Sequence, residues 1–130
     1  MRPLNVLICG GNDLSLHQMA HVLRDDGVTV EISNYPMNQL FSNQTAWDFL
    51  LVDLDGLDSV LRNLLPNVIR TYPNLAVVGV STKTSANDVL NTTRGLRLDA
   101  CLNRIPRAED LIVCSPRVAA EYLCDTQPLH

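Results

Sequence analysis

The first candidates for chemistry in this 130-residue sequence are five residues that directly follow short apolar segments. They are Gly10, Gly11, Asp53, Ser81 and Arg104. The apolar segments have the length and composition of buried strands, and open parallel sheets bind their ligands beyond the carboxyl ends of the strands. We therefore expect these residues to meet at one edge of a sheet and to form the functional site.

Gly10 and Gly11 also permit a second interpretation, in which the turn holds a nucleotide phosphate at the N-terminus of the next helix. A dinucleotide-binding turn requires the pattern G-x-G-x-x-G, and Asn12 and the residues after it break that pattern. The sequence contains no Walker motif. A small nucleotide-binding protein is therefore kept as the alternative from a different functional class.

The remaining reactive side chains form no recognisable catalytic or metal-binding set. His17 and His21 are four residues apart on a predicted helix, a spacing that can hold a metal, but no acidic or cysteine partner is evident. We expect solvated or interface histidines. No Ser-His-Asp or Cys-His arrangement can be assembled, so the sequence does not predict an enzyme, and it predicts no cofactor.

The cysteines indicate neither a metal site nor a redox site. There are four of them, and no pair has the C-x-x-C spacing: Cys9, Cys101, Cys114 and Cys124. Cys9 and Cys101 lie within apolar segments, where a free thiol packs as a small hydrophobe. We therefore expect all four thiols to be structural.

The composition is that of a single folded domain. Hydrophobic residues make up 46% of the chain and charged residues 18%, which excludes a disordered chain. The net charge of −4 disfavours a nucleic-acid-binding surface. The apolar segments are too short to span a bilayer, and no signal peptide is recognisable. We expect a cytoplasmic protein that binds no membrane, with a domain over residues 1–123 and a tail or linker over 124–130.

Strand-like and helix-like segments alternate along the chain. The predicted strands are residues 5–9, 28–32, 49–52, 75–80 and 100–102. The predicted helices are a first helix that follows a cap at Asn12 or Asp13 and ends near residues 25–27, and then residues 36–41, 57–72, 85–96, 106–113 and 116–123. This alternation predicts an α/β fold, a doubly wound parallel sheet of five strands that is covered by helices on both faces.

Proline and serine residues indicate where the predicted helices begin and where one of them breaks. Pro66 lies inside the segment 57–72, and we expect a break, a kink or a new helix there because the proline ring clashes with the preceding turn. Pro106 suits the first turn of the helix after the fifth strand. Ser115 and Pro116 have the residue types of an N-cap followed by the first helical position.

At the predicted strand ends, residues 4–122 resemble the receiver domain of bacterial response regulators, and the NarL/FixJ variety, usually joined to a LuxR-like helix-turn-helix, is the most similar. V-L-I-C-G-G-N-D-L corresponds to the family's V-L-I-V-D-D-x-P-L, and D-F-L-L-V-D-L to D-L-V-L-L-D-L. V-V-G-V-S-T corresponds to the strand that ends in Ser or Thr, and A-C-L-N-R-I-P-R-A-E-D-L to G-Y-L-L-K-D-A-P-P-E-E-L. The resemblance implies a CheY-like, flavodoxin-like sheet with the strand order 2-1-3-4-5.

The same resemblance implies a role for each matched residue. Asp53 occupies the phospho-acceptor position and Ser81 the position of the family's hydroxyl residue. Arg104 stands where the family has lysine, and Cys101 stands at its aromatic switch position. Arginine can still bind a phosphate, but its rigid fork requires a different geometry from that of lysine.

The departures from the family pattern concern the metal site above all. The family binds magnesium with two acidic residues, and Gly10 and Gly11 occupy their positions here. Asp53 and Asp55 remain as weak candidate ligands for a cation that prefers an octahedral shell of oxygen atoms, while Asp13 is placed to cap a helix. We therefore expect no magnesium site.

These observations predict a degenerate receiver, a pseudo-receiver of a two-component system that acts by protein–protein contact in transcription regulation. Asp53 would then be a relic carboxylate, paired with Arg104. The alternative within the same family is a working receiver that accepts phosphate on Asp53 in an atypical site.

The resemblance also suggests partners. Receivers of this kind dimerise through the face built from the fourth helix, fifth strand and fifth helix, or through the first and fifth helices. The C-terminal segment of this chain is rich in apolar residues. We expect a homodimer whose interface includes Leu111, Val118, Tyr122 and Leu123. A helix-turn-helix domain following this chain in a longer protein would be the DNA-binding partner.

Overall fold

The computed structural model describes residues 4–10, 13–33, 46–82 and 94–126. Within them a five-stranded sheet has the order β2-β1-β3-β4-β5, and every neighbouring pair is parallel. The strands are β1 (Asn5–Cys9), β2 (Thr29–Ile32), β3 (Phe49–Asp53), β4 (Ala76–Val80) and β5 (Ala100–Leu102). The predicted fold class and the strand order are confirmed.

The helices cover both faces of this sheet. They are α1 (Asp13–Asp25), α2 (Ser59–Thr71), α3 (Ala108–Ile112) and α4 (Pro116–Thr126), and a 3₁₀ turn at Leu54–Gly56 follows β3. One apolar core contains side chains of α1, α3 and α4, and a second core on the other face contains those of α2. None of the helices that the structure describes is long and apolar enough to cross a membrane.

Continuous apolar strands produce the centre of the sheet. Every residue of β3 and β4 is buried, because helices pack against both faces of these strands. The apolar face of α1 is at most 2% exposed and consists of Leu16, Met19, Ala20 and Leu23. A fully buried leucine side chain contributes about 1.5–3 kcal/mol to folding, so this apolar face fixes α1 against the sheet.

The expected interruption at Pro66 is wrong, because α2 runs without a break from Ser59 to Thr71. Asp58 caps its N-terminus by accepting the backbone N–H of Leu61 at 2.8 Å. Pro66 is exposed, so the carbonyl group that lacks its N–H donor lies on the solvent side. The buried Leu61, Leu65 and Val68 hold both halves of α2 on the sheet.

Three other predicted boundaries differ from the structure. Arg94 and Gly95 form a turn, with Gly95 at a φ of 81°, so no helix extends to residue 96. α3 begins at Ala108 rather than at the proline before it. α4 continues to Thr126, past the predicted end of this helix at residue 123. The predicted helix 36–41 and residues 85–93 of another lie outside the described residues.

Candidate functional site

Strand register brings the predicted site residues together at the carboxyl edge of the sheet. Cys9 of β1 pairs with Val52 of β3, so the next residues, Gly10 and Asp53, become neighbours. Asp53 in turn pairs with Val80, which places Ser81 one residue beyond it. Gly11 lies outside the described residues.

Gly10 lies unusually close to Asp53. A Cβ atom built on Gly10 would lie 2.8 Å from the Cβ of Asp53 and 3.2 Å from a methyl carbon of Leu16. The first contact is shorter than van der Waals packing permits, and the Asp53 Cβ belongs to a buried strand that cannot easily move. The backbone has therefore filled the space in which a side chain at position 10 would begin.

Asp53 is an interior carboxylate, only 2% exposed. Its Oδ1 accepts the backbone N–H of Asp55 at 3.2 Å and so caps the 3₁₀ turn after β3. Burial, followed by the charge of Asp53, raises the pKa of the Cys9 thiol. Cys9 consequently remains a neutral, buried thiol, as its apolar surroundings in the sequence predict.

Asp55 organises the polar groups on the neighbouring strand. Its Oδ1 accepts the hydroxyl of Ser81 at 2.7 Å. Its Oδ2 accepts the backbone N–H of Thr82 at 2.9 Å and the Thr82 hydroxyl at 3.4 Å. Both oxygens of Asp55 therefore bind the chain end of β4. We call Asp55, Ser81 and Thr82 the aspartate bridge.

The expected ion pair between Asp53 and Arg104 is absent. Arg104 Nη2 donates to Asp110 Oδ1 at 2.6 Å, and its side chain is 68% exposed. Asp110 belongs to α3, and its other oxygen accepts the backbone N–H of Arg107. The first turn of α3 thus presents a carboxylate to Arg104 that is more accessible than the buried Asp53.

The space around Asp53 is small. The cavity measures about 20 Å³ and is lined by Ser15, Gln18, Met19, Asp53, Val80, Thr82 and Ile105. About 10–15 Å³ holds a single water molecule, so this cavity accommodates roughly one water and neither a phosphoryl group with a hydrated cation nor a nucleotide phosphate. The nucleotide-binding interpretation of Gly10 receives no support from this geometry.

The residues at this edge do not fit the magnesium ion that the resemblance implies. Magnesium requires a nearly octahedral shell of oxygen ligands. Asp53 supplies one buried carboxylate, and Asp55 uses both of its oxygens in the aspartate bridge. No group of three or more metal-binding side chains occurs in the part of the chain that the structure describes.

The remaining candidate residues lie at the edge of the sheet, in the core and on the surface of α1. Cys101 is exposed on β5, so its expected burial is wrong, because β5 lies at the edge of the sheet. Leu111 and Val118 are fully buried in the core and cannot form an interface as predicted. The side chains of Tyr122 and Leu123 lie outside the described part of the structure. His17 and His21 are exposed on α1, and His21 lies 3.5 Å from Asp25.

Sequence reasoning missed the aspartate bridge. The sequence feature that could have indicated it is the spacing of Asp53 and Asp55. These two carboxylates are separated by one residue at the end of β3, and Ser81 follows the neighbouring strand β4. The 3₁₀ turn between them directs the second carboxylate toward β4, and a turn of this kind could not be inferred from residue types alone.

Solved structures of known proteins share this fold. The chemotaxis response regulator CheY4 of Vibrio cholerae has a TM-score of 0.62 and 19% sequence identity, over 90% of this chain and 99% of that chain. A Burkholderia pseudomallei response regulator with a phosphorylated aspartic acid and a calcium ion has a TM-score of 0.62 and 17% sequence identity, over 97% of this chain and 76% of that chain. A candidate pilus assembly-related protein of Burkholderia pseudomallei has a TM-score of 0.57 and 23% sequence identity, over 94% of this chain and 87% of that chain.

No model of a protein family matches the sequence, and no curated protein matches it either. The similarity therefore extends to three-dimensional structure at low sequence identity. Since response regulator receivers are among the structural neighbours, the chain has the CheY-like receiver fold.

Proposed function

We propose that this chain is a degenerate receiver domain of the NarL/FixJ variety, which takes part in signal transduction and transcription regulation through protein contacts and without magnesium-dependent phosphorylation. One observation carries the proposal. The groups that would bind the metal and the phosphoryl group are bound to the protein itself, Asp55 to Ser81 and Arg104 to Asp110.

Phosphoryl transfer to an aspartate requires a metal ion to neutralise the phosphoryl oxygens and a cation to hold the product. Here Gly10 provides no carboxylate, and Arg104 is engaged on α3. Reaction at Asp53 would require opening the aspartate bridge and enlarging a cavity of about 20 Å³. Both changes cost free energy, and the described residues contain no group of metal-binding side chains that would offset it.

Incubation with acetyl phosphate and magnesium tests this proposal. We expect the intact mass to stay unchanged, and we expect magnesium with a beryllofluoride phosphoryl mimic to produce no shift in tryptophan fluorescence. Asp53→Asn is the control, since it removes the acceptor and should behave as the parent chain does. A phosphoryl adduct on the parent chain that is lost in Asp53→Asn would instead establish the alternative, an atypical working receiver.

We further propose a homodimer, on a different surface from the one first expected. Val113, between α3 and α4, is 78% exposed, and Leu14 on α1 is 69% exposed. α1 and the two helices that flank Val113, α3 and α4, cover the same face of the sheet. Sedimentation at high micromolar concentration should show a dimer that Val113→Asp weakens. Val60→Asp is the matched control, because Val60 is 51% exposed on α2 over the opposite face. A monomeric parent chain would contradict the proposal.

A further inference from the structure

Arginine side chains concentrate on the face of the sheet that α2 covers. Arg62 on α2 donates from Nη2 to the backbone oxygen of Arg94, which joins α2 to the turn before β5. Arg70 and Arg97 both line a space beside α2 and this turn. The space measures about 380 Å³ and is lined by Pro66, Ile69, Arg70, Gly95 and Arg97. We call it the arginine groove.

Acidic residues close to the groove in sequence form no ion pair with Arg70 or Arg97 among the described residues, and their carboxylates bind backbone groups instead. Asp58 accepts the N–H of Leu61 at 2.8 Å as the cap of α2. Asp99 accepts the N–H of Val77 at 2.7 Å at the start of β4. Arg70 donates to the uncharged side chain of Asn67. In the described parts of the chain, no ion pair includes Arg97. The groove is therefore a positively charged surface on a chain whose net charge is −4.

The groove also has an apolar side. Pro66 lies one turn before Arg70 on α2, and Ile69 is a further apolar residue that lines the groove. Gly95 contributes no side chain, and nothing lies within 4 Å of the place its Cβ would occupy. A ligand with both negative charge and apolar groups therefore matches the groove better than a simple anion does.

We propose that the arginine groove docks an acidic, partly apolar segment of a partner protein. Guanidinium groups bind carboxylates in a two-point geometry, and Pro66 and Ile69 offer contact to an apolar side chain between the acidic ones. The net charge of −4 repels a long polyanion more strongly than a short acidic segment, and the apolar lining has no role for a phosphate backbone, so a protein segment is favoured over a nucleic acid. This inference rests on the proposed function, because it assigns the surface through which protein contact occurs.

A fluorescein-labelled peptide of alternating glutamate and leucine tests the proposal by fluorescence anisotropy with the full chain. We expect binding that weakens about tenfold in Arg70→Glu/Arg97→Glu, in line with the loss of two ion pairs and the repulsion that replaces them. About 1 M salt, where the Debye length is about 3 Å, should also weaken binding. Arg97 makes no hydrogen bond in the described structure, so Arg97→Glu alone gives a second variant that folds normally and loses part of the affinity.

Arg24→Glu is the matched control. It changes the net charge by the same amount as Arg97→Glu, but Arg24 is on α1, over the opposite face of the sheet, where it donates to the backbone oxygen of Val30. Equal loss of affinity in Arg24→Glu and Arg97→Glu, or no binding by the parent chain, would overturn the proposal. Tighter binding of a single-stranded oligonucleotide than of the peptide would also overturn it.

The peptide assay and the acetyl phosphate assay can overturn the two proposals independently of each other. A phosphorylated parent chain would overturn the proposed function and leave the affinity measurements intact. An unphosphorylated chain that does not bind the acidic peptide would overturn the docking surface alone.

Discussion

The absence of a side chain at residue 10 affects the whole candidate site. With glycine there, the backbone of β1 approaches Asp53 so closely that an added Cβ would lie 2.8 Å from the Cβ of Asp53. Replacing the glycine by an acidic residue therefore does more than add a missing metal ligand. It requires β1 and β3 to separate locally, so the glycine at position 10 and the small cavity beside Asp53 are linked.

Gly10→Ala should lower the free energy of unfolding by about 1–3 kcal/mol, the usual range for overpacking a core. Gly79→Ala is the comparison, because its Cβ would meet methyl groups of Leu54 and Leu98 at 2.8 and 2.9 Å. Those methyl groups end flexible side chains and can move, so we expect a smaller loss. Urea denaturation of both variants measures the difference, and equal losses would contradict the special constraint at residue 10.

Cysteine reactivity should separate the interior from the edge of the sheet. Cys9 is buried, and burial raises the pKa of its thiol, whereas Cys101 is exposed with a pKa that burial also raises. At neutral pH we expect N-ethylmaleimide to label Cys101 and to leave Cys9 unmodified. Peptide mapping by mass spectrometry provides the readout, with urea-unfolded protein as the control in which both react. Labelling of native Cys9 would show that β1 opens readily.

At the scale of single residues, the sequence predicted where the site residues lie in the fold better than it predicted which side chains they contact. Asp53 and Ser81 lie at the sheet edge as expected, because short apolar segments define the strand ends. The partner of Arg104 could not be predicted, because its long side chain reaches Asp110 rather than Asp53, and that choice depends on where α3 begins. The burial of Asp53 also depends on packing against α1, which no local pattern specifies.

Helix α2 shows the same limit at the scale of an element. Its apolar spacing predicted a helix, and its continuity through Pro66 was missed because the penalty of proline was weighed without the tertiary contacts of Leu61, Leu65 and Val68. Strands were predicted more accurately, since continuous apolar segments in a fully covered parallel sheet leave few alternatives.

Pro66→Ala should raise the free energy of unfolding by about 1–2 kcal/mol. The substitution supplies the missing backbone donor and removes the ring clash, and the greater entropy of the unfolded alanine chain offsets part of the gain. Thermal unfolding followed by circular dichroism measures the change. Asn63→Ala, at another exposed position of α2, controls for helix propensity. A lower melting temperature in Pro66→Ala would mean that the groove side of α2 depends on the proline ring.

At the scale of the whole molecule, one carboxylate joins two segments that are distant in sequence. Asp26, in the turn after α1, accepts Arg107 Nε at 2.8 Å and the backbone N–H of Ala108 at 3.0 Å. These bonds attach the α1–β2 connection to the start of α3. The hydrogen bond from Arg107 is the largest cause that lowers the pKa of Asp26, to about 2.

This pKa predicts how stability changes in acid. Because the folded pKa is below that of an unfolded aspartate, about 3.9, the contribution of Asp26 is complete above that value and is lost as the pH falls toward 2. Asp26→Asn should lower the melting temperature at neutral pH and flatten its decline between about pH 4 and pH 2. Asp25→Asn is the neighbouring control, since Asp25 is 71% exposed and lies near His21 only. An unchanged acid profile in Asp26→Asn would contradict the role of this contact.

The shortness of β5 has a consequence for how copies of the chain avoid aggregation. An edge strand offers unpaired backbone groups to which a strand of another molecule can add, and long flat edges extend into fibres. β5 contains only three residues, none of them fully buried. Such an edge provides too few hydrogen bonds to nucleate a continuous intermolecular sheet. The opposite edge, β2, has only four residues, so within the described residues the helical faces are the larger surfaces by which this domain can meet another protein without polymerising.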